Sequence, residues 1–138
     1  MERSPELRDL TLRTYEAMSR GDVAFFERLA SRQAGLLAIG TDPDEWWGDY
    51  DSLIRALRAQ LAEVGGGFPI TPGDVQAYRE GSVGWAADRA TFDFPGQPPL
   101  PFRLTLVFHQ EEGEWKAVQW HTSLGVANEA VIGKELTV

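Results

Sequence analysis

Five polar side chains that could bind or protonate a ligand lie in one stretch of the chain, from Leu100 to Gly125. An imidazole such as His121 can move protons near neutral pH. A forked guanidinium such as Arg103 can hold a carboxylate or an enolate. If these two groups share one face of a hairpin, they predict a pocket for acid–base chemistry. The polar side chains that would complete it are Thr105, Gln119 and Ser123.

The turn of this hairpin decides which residues share a face. A two-residue loop at Glu112-Gly113 would need positive φ at both positions, where glutamate is a poor choice. A three-residue loop, Glu111 to Gly113, needs positive φ only at its glycine. This bulged loop predicts that His121 lies opposite Arg103 and that Gln119 lies opposite Thr105, and directly opposed residues share a face. One face is then Arg103, Thr105, Val107, His109, Trp115, Ala117, Gln119, His121 and Ser123.

The other face of the predicted hairpin is apolar, and it carries Phe102, Leu104, Leu106, Phe108, Val118, Trp120 and Thr122. It is too apolar to remain in water, so helices or a second subunit must cover it. Trp120 on this face is expected at an interface rather than in the pocket. For the polar face, two alternatives remain open. The first is that His121 is a core histidine bonded to a neighbour, and the second is that Arg103 forms a structural ion pair with Asp88 or Asp93.

A second candidate group lies in the polar segment from Thr41 to Tyr50. Asp42 and Glu45 lie beside Trp46 and Trp47, and a carboxylate against indole rings can act as an acid or a base. Asp42 is therefore a second candidate catalytic residue, although an aspartate before a proline also suits a turn. Aromatic side chains predicted to wall a ligand pocket are Trp46, Trp47 and Trp85, with Trp115 beside them. They could equally fill a core or a dimer face.

Composition excludes several classes of protein. The 138 residues carry a formal net charge of −8 and no basic run, so nucleic acid is not an expected partner. No apolar segment is long enough for a membrane span, and the charged amino terminus lacks a signal core, which predicts a cytoplasmic protein. The chain has no cysteine and two histidines, so we expect no disulfide, no metal and no cofactor.

The order of elements predicts an α+β fold. Helices begin at Pro5 behind the capping Ser4, after Asp22, and after Asp49 or Asp51. The second helix is expected to close at Gly35. Leu36 to Ile39 is predicted to be a buried strand, and alternating segments from Val75 onward predict an antiparallel sheet with the helices on one face. A single domain over residues 1–138 is expected, with a core at about 6–127 and a tail at 128–138.

This arrangement resembles the SnoaL-like branch of the nuclear transport factor 2-like superfamily. The resemblance rests on Gly21-Asp22 between two helices, on Gly40 to Gly48 before the third helix, and on Gly113 to Ser123 in the closing strand. It implies a cone with three amino-terminal helices on a strongly bent, mostly antiparallel sheet and an apolar cavity at the open end. It also implies a homodimer formed through the outer face of the sheet.

Members of the superfamily include ketosteroid isomerases, polyketide cyclases, dehydratases and kinase-association modules, so the fold alone does not give the chemistry. The isomerases' tyrosine and two aspartates find no residue-by-residue match here. The sequence predicts a domain that binds a small apolar or amphipathic molecule. It leaves open a cofactor-free isomerase, cyclase or dehydratase that works by proton transfer, or a non-catalytic binding or association module.

Overall fold

The computed structural model describes residues 1–138. Three helices precede most of the sheet, and a short fourth helix follows it. The helices are α1 (Pro5–Arg20), α2 (Val23–Leu29), α3 (Tyr50–Glu63) and α4 (Asn128–Ile132). The strands are β1 (Glu2–Arg3), β2 (Leu37–Ile39), β3 (Trp46–Trp47), β4 (Ile70–Thr71), β5 (Gln76–Glu80), β6 (Val83–Phe92), β7 (Leu100–Glu111) and β8 (Glu114–Ser123).

The helix starts follow from capping side chains, as the sequence predicts. Ser4 accepts a hydrogen bond from the Leu7 backbone N–H, and Asp22 and Asp49 cap α2 and α3 in the same way. The predicted end of α2 at Gly35 is wrong. The helix stops at Leu29 because the next residues run beside β8, where the Ser31 N–H donates to the Ala117 carbonyl at 3.0 Å.

The sheet is mixed and mostly antiparallel, in the order β1-β5-β6-β7-β8-β2-β3, with β4 paired to β6. Its parallel pairing joins β2 to β8, so that Ala38 lies beside Trp120 and Ile39 beside His121. Helices α1, α2 and α3 pack against its inner face. The predicted α+β cone is therefore confirmed.

The hairpin turn differs from the prediction. Glu112 and Gly113 both have positive φ, 52° and 82°, and Glu111 pairs directly with Glu114, so the loop has two residues rather than three. Left-handed geometry at a non-glycine residue costs about 1–2 kcal/mol. The tight loop turns Trp115 inward, where it is buried. Burial of a large apolar side chain contributes about 2–3 kcal/mol, which offsets the strain.

The extra residue of the hairpin lies within β8 instead of in the loop. The register shifts between Val107 and Phe108, so that Phe108 pairs with Ala117 but Val107 pairs with Gln119. Val118 is thus the bulged residue. The predicted positions of Trp115 and Ala117 on the polar face are wrong, and so are the predicted cross-strand pairs. His121 lies opposite Thr105, and Arg103 lies opposite Ser123.

Strand alternation beyond the bulge still separates a polar from an apolar face. The inner, helix-covered face of the hairpin carries the buried residues Phe102, Leu104, Leu106, Phe108, Trp115, Ala117 and Trp120. Helices, rather than a second subunit, cover the apolar face. Its polar counterpart, with Arg103, Thr105, Gln119, His121 and Ser123, is the outer face of the sheet.

A buried hydrogen bond joins α1 to the sheet. The Tyr15 hydroxyl donates to Asp88 Oδ2 at 3.0 Å, and the Gly73 N–H donates to the same oxygen at 3.0 Å. Burial, and then the neighbouring Asp88 carboxylate, raise the pKa of Tyr15 above its ordinary value, so the phenol stays a donor at neutral pH. Asp88 is thereby engaged by Tyr15, and Asp93 by Thr71, so the alternative of an ion pair between Arg103 and either aspartate is not formed.

None of the four helices combines the length and the hydrophobicity that crossing a bilayer requires. The tail after β8 contains α4, and its apolar side chains Val126, Val131, Ile132, Leu136 and Val138 are exposed.

Candidate functional site

A cavity of about 560 Å³ lies at one end of the cone. It is enclosed by the last turn of α1, the β2–β3 hairpin, the inner side of α3 and the adjoining ends of β6, β7 and β8. Its volume is within the range of about 300–1,000 Å³ that is typical of small-molecule sites. The lining residues are Met18, Ile39, Gly40, Thr41, Asp42, Glu45, Trp47, Leu53, Leu57, Gln60, Phe68, Phe92, Phe94, Leu100, Trp120 and Thr122.

The polar part of the lining is organised around the half-buried Glu45. Its Oε1 accepts a hydrogen bond from the Asp42 backbone N–H at 2.8 Å, and its Oε2 accepts one from Gln60 Nε2 at 2.7 Å. The Glu45 backbone is also fixed, because its carbonyl accepts from the Gly40 N–H at 2.9 Å and its N–H donates to the Asp42 carbonyl at 3.0 Å. The carboxylate is therefore held in one position by the loop and by α3.

Gly40 makes this position possible. A Cβ atom at residue 40 would lie 2.7 Å from the carboxyl carbon of Glu45 and 2.7 Å from its Oε1. Any side chain at this residue would push the carboxylate away from its two donors. Within the β2–β3 hairpin, the Glu45 side chain therefore folds back over Gly40, which has no Cβ atom.

Aromatic side chains form much of the remaining wall. Phe68 lies with its ring centroid 6.1 Å from that of Phe92 and 5.6 Å from that of Phe94. Trp47 and Trp120 contribute two indoles, and Trp120 also contacts Phe26 of α2 in the core. Phe68, Phe92 and Trp47 are only half-buried although they pack on the core, and the half-buried Phe94 packs on Phe68 and Phe92, so all four leave apolar surface open to the cavity.

The five polar hairpin residues are brought together, but outside this cavity. Arg103 Nε donates to Ser123 Oγ at 3.2 Å, and Arg103 Nη2 donates to the Leu124 carbonyl at 3.2 Å. His121 is exposed on the same outer face, beside Thr105 and Gln119. The prediction that this group lines the pocket is wrong. The apolar face of the hairpin gains more from contact with the helices, which turns the polar face outward.

The segment from Thr41 to Tyr50 supplies part of the lining. Asp42 and Trp47 both border the cavity. Asp42 Oδ1 also accepts from the Asp44 N–H at 2.9 Å, which is the turn-forming alternative considered from the sequence. The catalytic role of Asp42 stays a prediction.

Two of the three tryptophans predicted to wall the pocket lie elsewhere. Trp46 is 65% exposed, because side chains alternate along β3 and Trp47 takes the inward position. Trp85 is on the outer face of the sheet, where its ring stacks on Tyr78 at 5.1 Å. Their predicted positions in the pocket are wrong. Trp120, expected at an interface, lines the cavity instead.

Sequence reasoning missed Gln60, Thr122 and the wall of phenylalanines. Gln60 had a usable signal, since it lies three residues after Leu57 and seven after Leu53, on the apolar stripe of α3. A polar residue within an apolar stripe indicates a candidate ligand-binding site. The structure contains no cluster of three or more His, Cys, Asp or Glu side chains that could hold a metal ion.

Comparisons with known proteins agree with this architecture. The family model of the SnoaL-like domain matches residues 7–127 of this chain. An NTF2-like protein of unknown function from Pseudomonas putida KT2440 superposes with a TM-score of 0.82 at 14% identity, over 98% of this chain and 96% of that one. No curated protein matches the sequence.

Two further solved structures share the fold. A "putative dehydratase" of the NTF2-like family from Streptomyces avermitilis has a TM-score of 0.75 at 17% identity, over 88% of this chain and 95% of that one. A "putative ketosteroid isomerase" from Parabacteroides distasonis ATCC 8503 has a TM-score of 0.71 at 10% identity, over 88% and 89%. Identities this low show the fold alone. The match over residues 7–127 establishes that the chain belongs to the SnoaL-like domain family, and the solved structures show that it shares the fold of NTF2-like proteins.

Proposed function

We propose that this chain binds a small molecule with a mostly apolar body and one polar end in the cavity beneath the sheet. The observation that carries the proposal is the half-buried aromatic wall. Phe68, Phe92 and Trp47 pack on the core and Phe94 packs on the two phenylalanines, yet all four keep apolar surface facing an open volume. A ligand that covers this surface would gain the free energy of removing it from water. Glu45 and Gln60 supply the few polar groups that such a site needs for orientation.

A second candidate function, proton transfer, is favoured by the position of Glu45. Its carboxylate borders an apolar cavity and is held in position by two donors, while each oxygen keeps a lone pair that can take a proton from a bound molecule. In this proposal the base is Glu45, with Asp42 as the second carboxylate of the cavity lining. A dehydratase or an isomerase without a cofactor would use a base of this kind.

A homodimer is proposed as the assembly. The outer face of the sheet is left uncovered by the helices, and its centre carries the half-buried side chains Tyr78, Trp85, Ala87 and Val107. A second copy placed on this face would bury these side chains and leave the cavity on the opposite side of the sheet accessible.

Filling the cavity should abolish binding without unfolding the protein. Thr122→Phe places a ring on the inner face of β8, where phenylalanine suits a strand. We expect binding of naphthyl compounds, measured by quenching of tryptophan fluorescence, to fall at least about 10-fold while the Tm is unchanged or higher. Ser123→Phe, on the outer face of the same strand, is the control and should bind normally. The proposal is wrong if Thr122→Phe binds like the unmodified chain, or if no naphthyl compound binds at millimolar concentration.

Proton transfer can be tested with 2-tetralone, an apolar ketone with acidic C–H bonds. In D₂O, the unmodified chain should accelerate exchange of the α-protons, followed by NMR. Glu45→Gln should reduce this acceleration by about 10²–10⁴-fold because the base is lost. Asp44→Asn, an exposed carboxylate of the same loop outside the cavity lining, is the matched control and should retain it. Absence of acceleration by the unmodified chain would leave binding as the function.

The dimer can be tested on the outer face. Val107→Glu places a like charge near its counterpart across a two-fold interface, so we expect the mass in light scattering to fall from dimer to monomer. Ala59→Glu, on the exposed side of α3, adds the same charge and should remain dimeric. A monomeric unmodified chain, or a Val107→Glu variant that stays dimeric, would contradict this assembly.

A further inference from the structure

The ionisable side chains that line the cavity are all acidic. Asp42 and Glu45 are the ionisable side chains in its lining, which contains no arginine, lysine or histidine. Two basic side chains, one on α3 and one beside its first residue, are engaged with other partners. Arg58 pairs with Glu27 at 2.7 Å, and Arg32 lies over the Tyr50 ring at 4.1 Å. An anionic end of a ligand would therefore meet two carboxylates and no cation.

The Glu45 carboxylate is arranged to accept further hydrogen bonds. Each of its oxygens accepts one bond within the protein, from the Asp42 N–H and from Gln60 Nε2. A carboxylate oxygen has two lone pairs, so each oxygen keeps one acceptor position. Because the Asp42 N–H and Gln60 already hold the group in place, a ligand need not order it on binding. The best complement to such an acceptor is a charged donor.

The aromatic wall also favours a positively charged ligand. Trp47 and Trp120 present indoles to the cavity, and Phe68, Phe92 and Phe94 present three further rings. The faces of aromatic rings attract cations, and tryptophan does so most strongly. The wall thus offers a cation a favourable surface as well as covering the apolar body of a ligand.

We propose that the ligand class of this cavity is an amine that is protonated at neutral pH and carries an aromatic or other apolar body. Its ammonium group donates to the Glu45 carboxylate, with Asp42 adding negative charge at the mouth of the cavity. The apolar body lies against the phenylalanine and tryptophan wall. This inference rests on the proposed binding function, and it is independent of whether Glu45 also transfers a proton.

The test uses three probes that share one ring system: 1-naphthylmethylamine, 1-naphthylmethanol and 1-naphthoate. At pH 7 they are a cation, a neutral molecule and an anion. Dissociation constants are measured by quenching of tryptophan fluorescence and by calorimetry. We expect the amine to bind about 10-fold more tightly than the alcohol, and the carboxylate to bind most weakly, as one charge-assisted hydrogen bond would give.

Variants test whether Glu45 causes the preference for the amine. Glu45→Gln keeps one acceptor oxygen for the Asp42 N–H and removes the charge. It should lower the affinity for the amine by about 10-fold, to that for the alcohol, and leave the affinity for the alcohol unchanged. Asp44→Asn removes the same charge from the same loop, outside the cavity, and controls for the overall field of the protein.

The outcomes separate the two proposals. Binding of the alcohol and the carboxylate as tight as that of the amine would overturn the amine assignment while leaving the cavity as a binding site. Equal losses of amine affinity in Glu45→Gln and Asp44→Asn would also overturn it, because long-range charge would then explain the preference. Failure of all three probes to bind would overturn the binding function itself.

Discussion

The burial of one apolar face of the β7–β8 hairpin against the helices is the constraint on which this structure depends. Phe102, Leu104, Leu106 and Phe108 alternate along β7, and they must leave water together because they share one side of the strand. Once this side contacts α1 and α2, the polar side of the same strands must face outward. The location of every candidate group on the hairpin follows from this single choice.

The cavity arises where this packing stops. Near the ends of β6 and β8 the sheet extends past the core, and α3 covers it only with Leu53, Leu57 and Gln60. The β2–β3 hairpin closes one side and brings Glu45 over Gly40. The volume that remains has apolar aromatic walls and a fixed carboxylate. The cone therefore has a buried core at one end and an open, chemically distinct site at the other.

Features of the fold that depend on local chemistry could be predicted from the sequence. Ser4, Asp22 and Asp49 cap helices because their short polar side chains satisfy free backbone N–H groups. Alternation within each strand groups Arg103 with Thr105, and Gln119 with His121 and Ser123. The observed register differs from the predicted one by two residues, which keeps both sets on one face.

Features that depend on tertiary contacts could not be predicted in the same way. Glu112 adopts positive φ against its own preference because the tight loop allows Trp115 to be buried. The strand pattern shows which face of the hairpin is apolar but not whether helices or a second subunit cover it, and the prediction therefore placed His121 inside the cone and Trp120 at an interface. The position of Glu45 follows from a contact with Gly40, five residues away, which no periodicity reveals.

The most direct measurement of the central claim is the set of NOE contacts made by Trp120 and His121, which are adjacent in the sequence and on opposite faces of β8. In a uniformly labelled sample, we expect the Trp120 indole protons to show contacts to the Phe26 ring, whose centroid lies 5.9 Å away. The His121 imidazole protons should show contacts to no helix residue. Contacts from the imidazole to Phe26 or Leu57, with none from the indole, would contradict the account.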